Sequence, residues 1–261
     1  MKIIVLGCAA GGGSPQWNCR CDVCALAWSG DPRVSRRTQA SLGVSSDGTR
    51  WCLLNCSPDI REQIERTPEL QPRSGRRGSP IGDVVLTNAD VDHIGGLLSL
   101  REGHAFTLHA TAETLAILRR NAIFDVLPHT AVIHRQLNIG DRQPIADGID
   151  IECFMVPGKL PLYLEGEAPD TSLRSGNTVG VTVRSGKTAF HYIPGCARLD
   201  PETTARLARA ALVFFDGTLW TDDEMITSGT GKKTGRRMGH MPVSGADGSL
   251  AGLQPLGIER L

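Results

Sequence analysis

The sequence predicts a mixed α/β fold in which short apolar strands end in polar turns. One apolar strand at residues 84–87 runs straight into Asn88-Ala89-Asp90-Val91-Asp92-His93 and then into an apolar helix start. A second apolar run, residues 211–215, ends in Asp216-Gly217. Two hairpins are also legible: residues 39–45 with 51–55 around Ser46-Asp47-Gly48-Thr49, and residues 177–184 with 187–193 around Ser185-Gly186. Composition agrees with an ordinary globule, since 40% of the 261 residues are hydrophobic and 21% charged. The 28 basic residues balance 28 acidic ones, which predicts no nucleic-acid surface from bulk electrostatics. No apolar run approaches the roughly 20 residues of a membrane span. Met1 to Cys8 has too short an apolar part for a signal-peptide core, so it reads as a first strand of a cytoplasmic protein. Eight cysteines in a reducing compartment are thiols or metal ligands rather than disulfides.

Along the chain, residues 2–6 form the first strand and Gly7 to Pro15 a glycine-rich turn. No Gly-Lys-Ser/Thr follows, so this is not a phosphate loop; glycines here let the backbone pass close to a site. Cys19, Cys21 and Cys24 follow as Cys-x-Cys-x-x-Cys. Three thiols at that spacing fit one tetrahedral ion, and thiolates favour zinc. The site is expected to be structural, with a fourth ligand from elsewhere. The plain alternative is three unrelated reduced thiols on a loop. Cys52 and Cys56 read as small buried hydrophobes. Ser57-Pro58-Asp59 opens a helix, with Ser57 as its N-cap and Pro58 in the first helical position. Residues 68–80 read as a surface loop.

The turn at Asn88 to His93 is the chemical centre of the first half. Residues two apart in an extended turn point the same way. Asn88, Asp90 and Asp92 therefore converge, and His93 joins them from the first helical turn. Gly95 and Gly96 permit close backbone approach, and residues 97–100 continue the helix. An acidic, solvated strand-to-helix loop is the competing reading. A strand at residues 106–110 and an amphipathic helix at 112–121 come next. His104, His109, His129 and His134 are scattered and read as structural or solvated. Residues 137–145 and 150–156 are strand-like, and the polar stretch 158–175 suits a mobile lid. A helix at residues 201–210 separates Pro194-Gly195-Cys196 from Asp216, and residues 229–237 form a basic, glycine-rich loop leading to His240.

Four segments taken together carry a resemblance. They are Gly11-Gly12-Gly13-Ser14-Pro15-Gln16-Trp17-Asn18-Cys19-x-Cys21-x-x-Cys24, Asn55-x-Ser57-Pro58-Asp59-Ile60-Arg61, Asn88-Ala89-Asp90-Val91-Asp92-His93, and Phe215-Asp216-Gly217-Thr218-x-Trp220. The chain resembles the coenzyme PQQ (pyrroloquinoline quinone) biosynthesis protein B family of the metallo-β-lactamase superfamily, from Met1 to about Val243. The resemblance implies an αββα sandwich: two mixed β-sheets flanked by helices, as a single domain over residues 1–261. Family members continue further, so a C-terminal segment, with the last metal histidine of relatives, is expected to be missing. A bacterial cytoplasmic protein of PQQ biosynthesis is implied, described for this family either as an iron-dependent oxygenase or as an aid to PQQ transport.

In the superfamily motif His-x-His-x-Asp-His, Asn88 and Asp90 replace the first two histidines, and Cys196 replaces a third. Hydrolytic relatives use such histidines to hold two zinc ions that generate hydroxide. A zinc hydrolase is therefore the third-ranked expectation. Asp92 and His93, with Asp90 and Asp216, are expected to hold the active-site metal; Asn88 and Cys196 are weaker candidate ligands. Mixed carboxylate and imidazole ligation suits ferrous iron. Asp92, His93 and His240 are the expected catalytic residues, with His240 as general acid or base, because it matches a catalytic histidine of related nucleases. The leading expectation is iron-dependent hydroxylation of a tyrosine-derived, Glu-Tyr-like PQQ precursor by O₂. The runner-up is a non-catalytic carrier of PQQ or its precursor. Expected partners are that small molecule, O₂ and other PQQ-biosynthesis proteins, with neither nucleic acid nor membrane.

Overall fold

The computed structural model describes residues 1–261. Its contacts divide into two compact units, residues 1–137 with 144–149, and residues 138–143 with 150–261.

The first unit carries a six-stranded sheet whose spatial order is the chain order: β1 (Lys2–Gly7), β2 (Ser41–Ser45), β3 (Trp51–Leu54), β4 (Ile81–Val85), β5 (Phe106–Ala110) and β6 (Val132–Gln136). The β1–β2 and β2–β3 pairs are antiparallel, so the first expected hairpin is present. From β3 to β6 every pair is parallel. Parallel neighbours need crossovers. These are built on α2 (Ile60–Arg66), α3 (Val91–Ile94) and α4 (Ala112–Arg120), whereas α1 (Asp22–Ser29) precedes β2. Strands covered on both faces read as continuous apolar runs, which is why Val84, Val85 and Leu86 are all fully buried. The core gathers Trp51, Leu53, Val84, Leu97, Leu108 and Leu118. Cys52 and Cys56 lie fully buried, as small hydrophobes do. His109 is structural: buried, its Nε2 sits 2.9 Å from Asp83 Oδ1, and Arg50 pairs with the other carboxylate oxygen at 3.0 Å.

Three details differ from the sequence-based expectation. The helix expected from Ser57 begins at Ile60, with Asp59 in the N-cap position. The Asp59 carboxylate does not cap it, because Oδ2 accepts from Gln39 N at 2.8 Å and Gln39 Nε2 at 3.0 Å. After His93 the α-helix does not continue; α3 is a single turn, followed by a 3-10 run at Gly95–Leu100. Here the backbone approaches the turn after β3 so closely that a Cβ on Gly96 would lie 2.0 Å from the Ser57 carbonyl oxygen. Strand β6 was not foreseen, because Val-Ile-His-Arg-Gln alternates weakly; it is an edge strand with Ile133 exposed.

The second unit's sheet holds β7 (Arg142–Ala146), β8 (Ile149–Gly158), β9 (Leu173–Ser185), β10 (Thr188–Ile193) and β11 (Val213–Phe215), again in sequence order. β8, β9 and β10 are antiparallel, while β10 and β11 run parallel across the helix α5 (Pro201–Leu207). Asp200 caps α5 by accepting from Thr203 N at 2.8 Å, with Pro201 at the start. Short helices α6 (Glu224–Thr227) and α7 (Ser249–Leu253) follow. Phe154, Val156, Ile193, Leu207 and Val213 form this unit's core. No helix is long and apolar enough to cross a membrane. Both units therefore present mixed sheets with helices beside them.

Two outcomes follow from this packing. Gly96→Ala forces the 56–57 backbone to move, and is expected to cost roughly 1–3 kcal/mol in chemical denaturation. His191 on β10 has its pKa lowered from 6.5 to about 4, by burial first and then by Arg206 and Arg184. The unfolded chain therefore binds a proton that the folded chain refuses, so stability falls as pH drops from 6.5 towards 4. His191→Gln should flatten that part of a pH–stability curve.

Candidate functional site

The turn after β4 is held by the turn after β3. Asn55 adopts a left-handed backbone, φ 62°, and is fully buried. Asparagine tolerates that region better than most side chains. Its Nδ2 donates to Thr87 Oγ1 at 3.0 Å, and its Oδ1 accepts from Thr87 N at 3.0 Å. Cys56 N donates to His93 O at 2.8 Å, and Gly96 N donates to Cys56 O at 2.9 Å. Four bonds thus tie the two strand ends and seat the motif between them. The sequence assigns Asn55 no site role, although the Asn55-x-Ser57-Pro58-Asp59-Ile60-Arg61 signature begins with it and it follows an apolar strand directly.

Within the motif, Asn88 Oδ1 accepts from Asp90 N at 2.9 Å and lies 2.7 Å from His93 Nδ1. A backbone N–H can only donate, so it fixes which end of the amide is oxygen. That oxygen in turn requires the imidazole proton on Nδ1 and leaves the lone pair on Nε2. His93 Nε2 is 3.8 Å from Asp92 Oδ2. His93 is buried, while the Asp92 side chain is 26% exposed and can reach a ligand. The glycine turn passes here as expected, because a Cβ on Gly11 would meet Asp92 Cγ at 3.7 Å. Asn88 therefore stands behind His93 as an orienting acceptor, with both oxygen lone pairs engaged, while Asp90 holds the N-cap position of the one-turn helix through its main-chain oxygen alone.

In the second unit, Asp216 follows β11 and is buried. Its Oδ1 accepts from Thr218 N at 3.1 Å and from Thr218 Oγ1 at 2.7 Å. Its Oδ2 accepts from Cys196 N at 3.0 Å and lies 2.6 Å from His240 Nδ1. The carboxylate is thus saturated, and it orients His240 as Asn88 orients His93. Thr218 was not singled out as a site residue, although the Phe215-Asp216-Gly217-Thr218 signature contains it. The Cys196 thiol donates to Arg198 O at 3.0 Å, and burial pushes its pKa up to about 12. The thiol is thus engaged with a main-chain carbonyl. His240 sits in a loop closed by its own N–H to Gly235 O at 2.9 Å and by Met241 N to Cys196 O at 2.8 Å.

The third candidate is the thiol loop. The sulfurs of Cys19, Cys21 and Cys24 lie within 4.8 Å of one another, close enough to share an ion. Cys21 N–H points at Cys19 Sγ, 3.4 Å away, and Trp28 Nε1 donates to Cys19 O at 3.0 Å, which fixes the loop against α1. The backbone N–H of Cys24 lowers the Cys21 pKa, whereas burial raises that of Cys24 to about 11. Soft sulfur donors at this spacing fit a thiophilic tetrahedral ion.

Residues 50–261 match the model of the beta-lactamase superfamily domain. A coenzyme PQQ synthesis protein B from Ruegeria pomeroyi is 52% identical over 260 residues, covering 100% of this chain and 87% of the relative. One of the same name from Methylorubrum populi is 48% identical with the same coverage. A crystal structure of Zn(2+)-bound PqqB from Methylobacterium extorquens superposes with a TM-score of 0.97 at 49% identity, covering 100% of this chain and 87% of that one. A diphosphatase of the PhnP family shares the fold alone, with a TM-score of 0.66 at 21% identity over 98% of this chain and 82% of that one. The architecture is thus the metallo-β-lactamase fold expected from the sequence. For the thiol loop, Cys21→Ser is expected to lower the metal held per chain in elemental analysis and to depress the thermal midpoint.

Proposed function

The chain belongs to the coenzyme PQQ synthesis protein B family of the β-lactamase superfamily, and on that basis we propose that it serves PQQ synthesis as an iron-dependent oxygenase acting on a tyrosine-derived, Glu-Tyr-like precursor. One observation carries the choice of chemistry: both candidate imidazoles are held through Nδ1, one by an amide and one by a carboxylate. The amide behind His93 orients the ring without adding charge, which suits a ligand nitrogen. The carboxylate behind His240 stabilises an imidazolium, which suits a group that takes and returns a proton.

The donor set fits a hard-to-borderline ion. Asn88 and Cys196, two of the positions where hydrolytic relatives carry histidine, are engaged in protein hydrogen bonds. Asp92 and His93 remain, 3.8 Å apart at their donor atoms, and two donors each about 2.0–2.2 Å from one ion span that distance. Asp90 adds a further carboxylate, and an oxygen-rich set with imidazole favours ferrous iron over a two-zinc hydrolytic centre. Bound iron would supply the redox chemistry with O₂. The chain's own residues do the rest. His93 is held in one tautomer by Asn88. In the second unit, His240 is the group fitted to take and return a proton. Asp216, fixed by Thr218 and Cys196 N–H, keeps the resulting imidazolium in place. Cys19, Cys21 and Cys24 are assigned a structural zinc, a reading supported by the zinc-bound relative. Other proteins of PQQ synthesis would deliver the precursor and take the product.

A carrier of PQQ or its precursor is the second reading, since an oriented polar site also binds a polar molecule. O₂ uptake by the iron-loaded protein with a Glu-Tyr substrate separates the two. His240→Ala is expected to slow uptake roughly 10²–10⁴-fold, and Asn88→Ala to weaken iron binding roughly 10–100-fold. Absence of uptake, together with tight PQQ binding that survives Asp92→Asn and His93→Ala, would reject the oxygenase in favour of the carrier.

A further inference from the structure

The basic loop at residues 229–237 and the polar stretch at 158–175 meet around a single carboxylate, Glu165. Lys233 Nζ donates to Glu165 Oε1 at 2.8 Å, Lys159 Nζ lies 3.0 Å from Oε2, and Arg237 Nη1 is 3.7 Å from Oε1. The Glu165 side chain is only 6% exposed and Lys159 11%. Burial raises the Glu165 pKa, yet Lys233 and Lys159 outweigh it and hold the carboxyl below its usual range, so it is charged. Three cations thus face one anion. Lys159 is the buried partner of Glu165, while Lys233 and Arg237 keep 41% and 31% of their side chains in solvent, where a further anion can reach them. Arg237 Nη2 is satisfied by Glu167 O at 2.6 Å, but the buried Nη1 makes no hydrogen bond. A guanidinium has a planar fork of donors suited to a carboxylate's two oxygens. One nitrogen of that fork makes no hydrogen bond, its nearest partner being Glu165 Oε1 at 3.7 Å.

The cluster also adjoins the proposed acid–base histidine. A Cβ on Gly239, the residue before His240, would lie 3.2 Å from Lys159 Cγ. Gly239 has φ 87°, so the loop passes over the lysine stem where a side chain would collide. Thr178 Oγ1 donates to Lys159 O at 3.0 Å and anchors that residue to β9.

We propose that Lys159, Lys233 and Arg237 are the carboxylate-recognition set of the site, and that Glu165 holds the seat a ligand carboxylate takes. The inference rests on the reading above, in which the ligand is a Glu-Tyr-like molecule and so carries carboxylates, and it adds how that molecule is selected. Binding exchanges one buried carboxylate for another and brings an acceptor to Arg237 Nη1. The released Glu165 frees the 158–175 stretch from the basic loop. A purely architectural role for Glu165, pinning two loops together, makes the opposite forecast for its removal.

The test is equilibrium binding of the dipeptide Glu-Tyr, and of its carboxylate-free counterpart Gln-Tyr amide, to the metal-loaded full chain by calorimetry. Lys233→Gln and Arg237→Gln should each weaken Glu-Tyr binding roughly tenfold or more, the scale of a hydrogen bond to a charged group, and leave Gln-Tyr amide binding nearly unmoved. Glu165→Gln should tighten Glu-Tyr binding while lowering the ligand-free thermal midpoint. If that variant fails to fold, Glu165→Asp, which retracts the competing carboxylate by one methylene, carries the same expectation. Unchanged charge selectivity in Lys233→Gln and Arg237→Gln overturns the proposal, as does unchanged or weaker Glu-Tyr binding in the Glu165 variant. Binding needs no turnover, so the outcomes separate. Charge-selective binding without O₂ uptake sinks the oxygenase and keeps this assignment, and O₂ uptake with equal KM for both dipeptides does the reverse.

Discussion

The chemistry of the first unit depends on one constraint, the closeness of two strand ends. Asn55 after β3 and Thr87 after β4 exchange side-chain and backbone hydrogen bonds, and the Cys56 backbone reads both His93 O and Gly96 N. Buried polar groups of this kind are costly to leave unmade, so each bond enforces the next. The consequence is local. A helix that propensity alone would extend past His93 is cut to one turn, and Gly96 is pressed against the Ser57 carbonyl. The same tie sets where Asn88 stands, and Asn88 sets which nitrogen of His93 carries the proton.

The second unit repeats that device with different chemistry. An amide and a carboxylate hold an imidazole equally well by geometry, but they do not treat its charge alike. Asn88 presents a neutral amide oxygen to His93, whereas Asp216 presents to His240 a carboxylate that is also held by Cys196 N, Thr218 N and Thr218 Oγ1.

Much of this was legible in the sequence. The strand running into Asn88–His93, the apolar run ending at Asp216, both hairpins and the thiol triple all carry local signals, and all are present in the fold. What escaped was set by partners distant in the chain. Nothing near Asp59 announces that Gln39 will take its carboxylate and shift the start of α2. Asn88 reads as a weak ligand until the Asp90 backbone and the His93 ring are seen to occupy its oxygen. Nothing near Cys196 in the sequence announces that its thiol bonds to Arg198 O. Strand β6 lacks alternation because it lies at a sheet edge, where burial is one-sided and incomplete.

The strand order has a consequence for how the chain comes together. In both sheets every strand lies beside its immediate predecessor in sequence, with no strand inserted between earlier ones. Each new strand therefore finds its template already made as synthesis proceeds from the N-terminus. Growth is one-sided, like laying planks from one wall, and no completed pair has to be reopened to admit a latecomer.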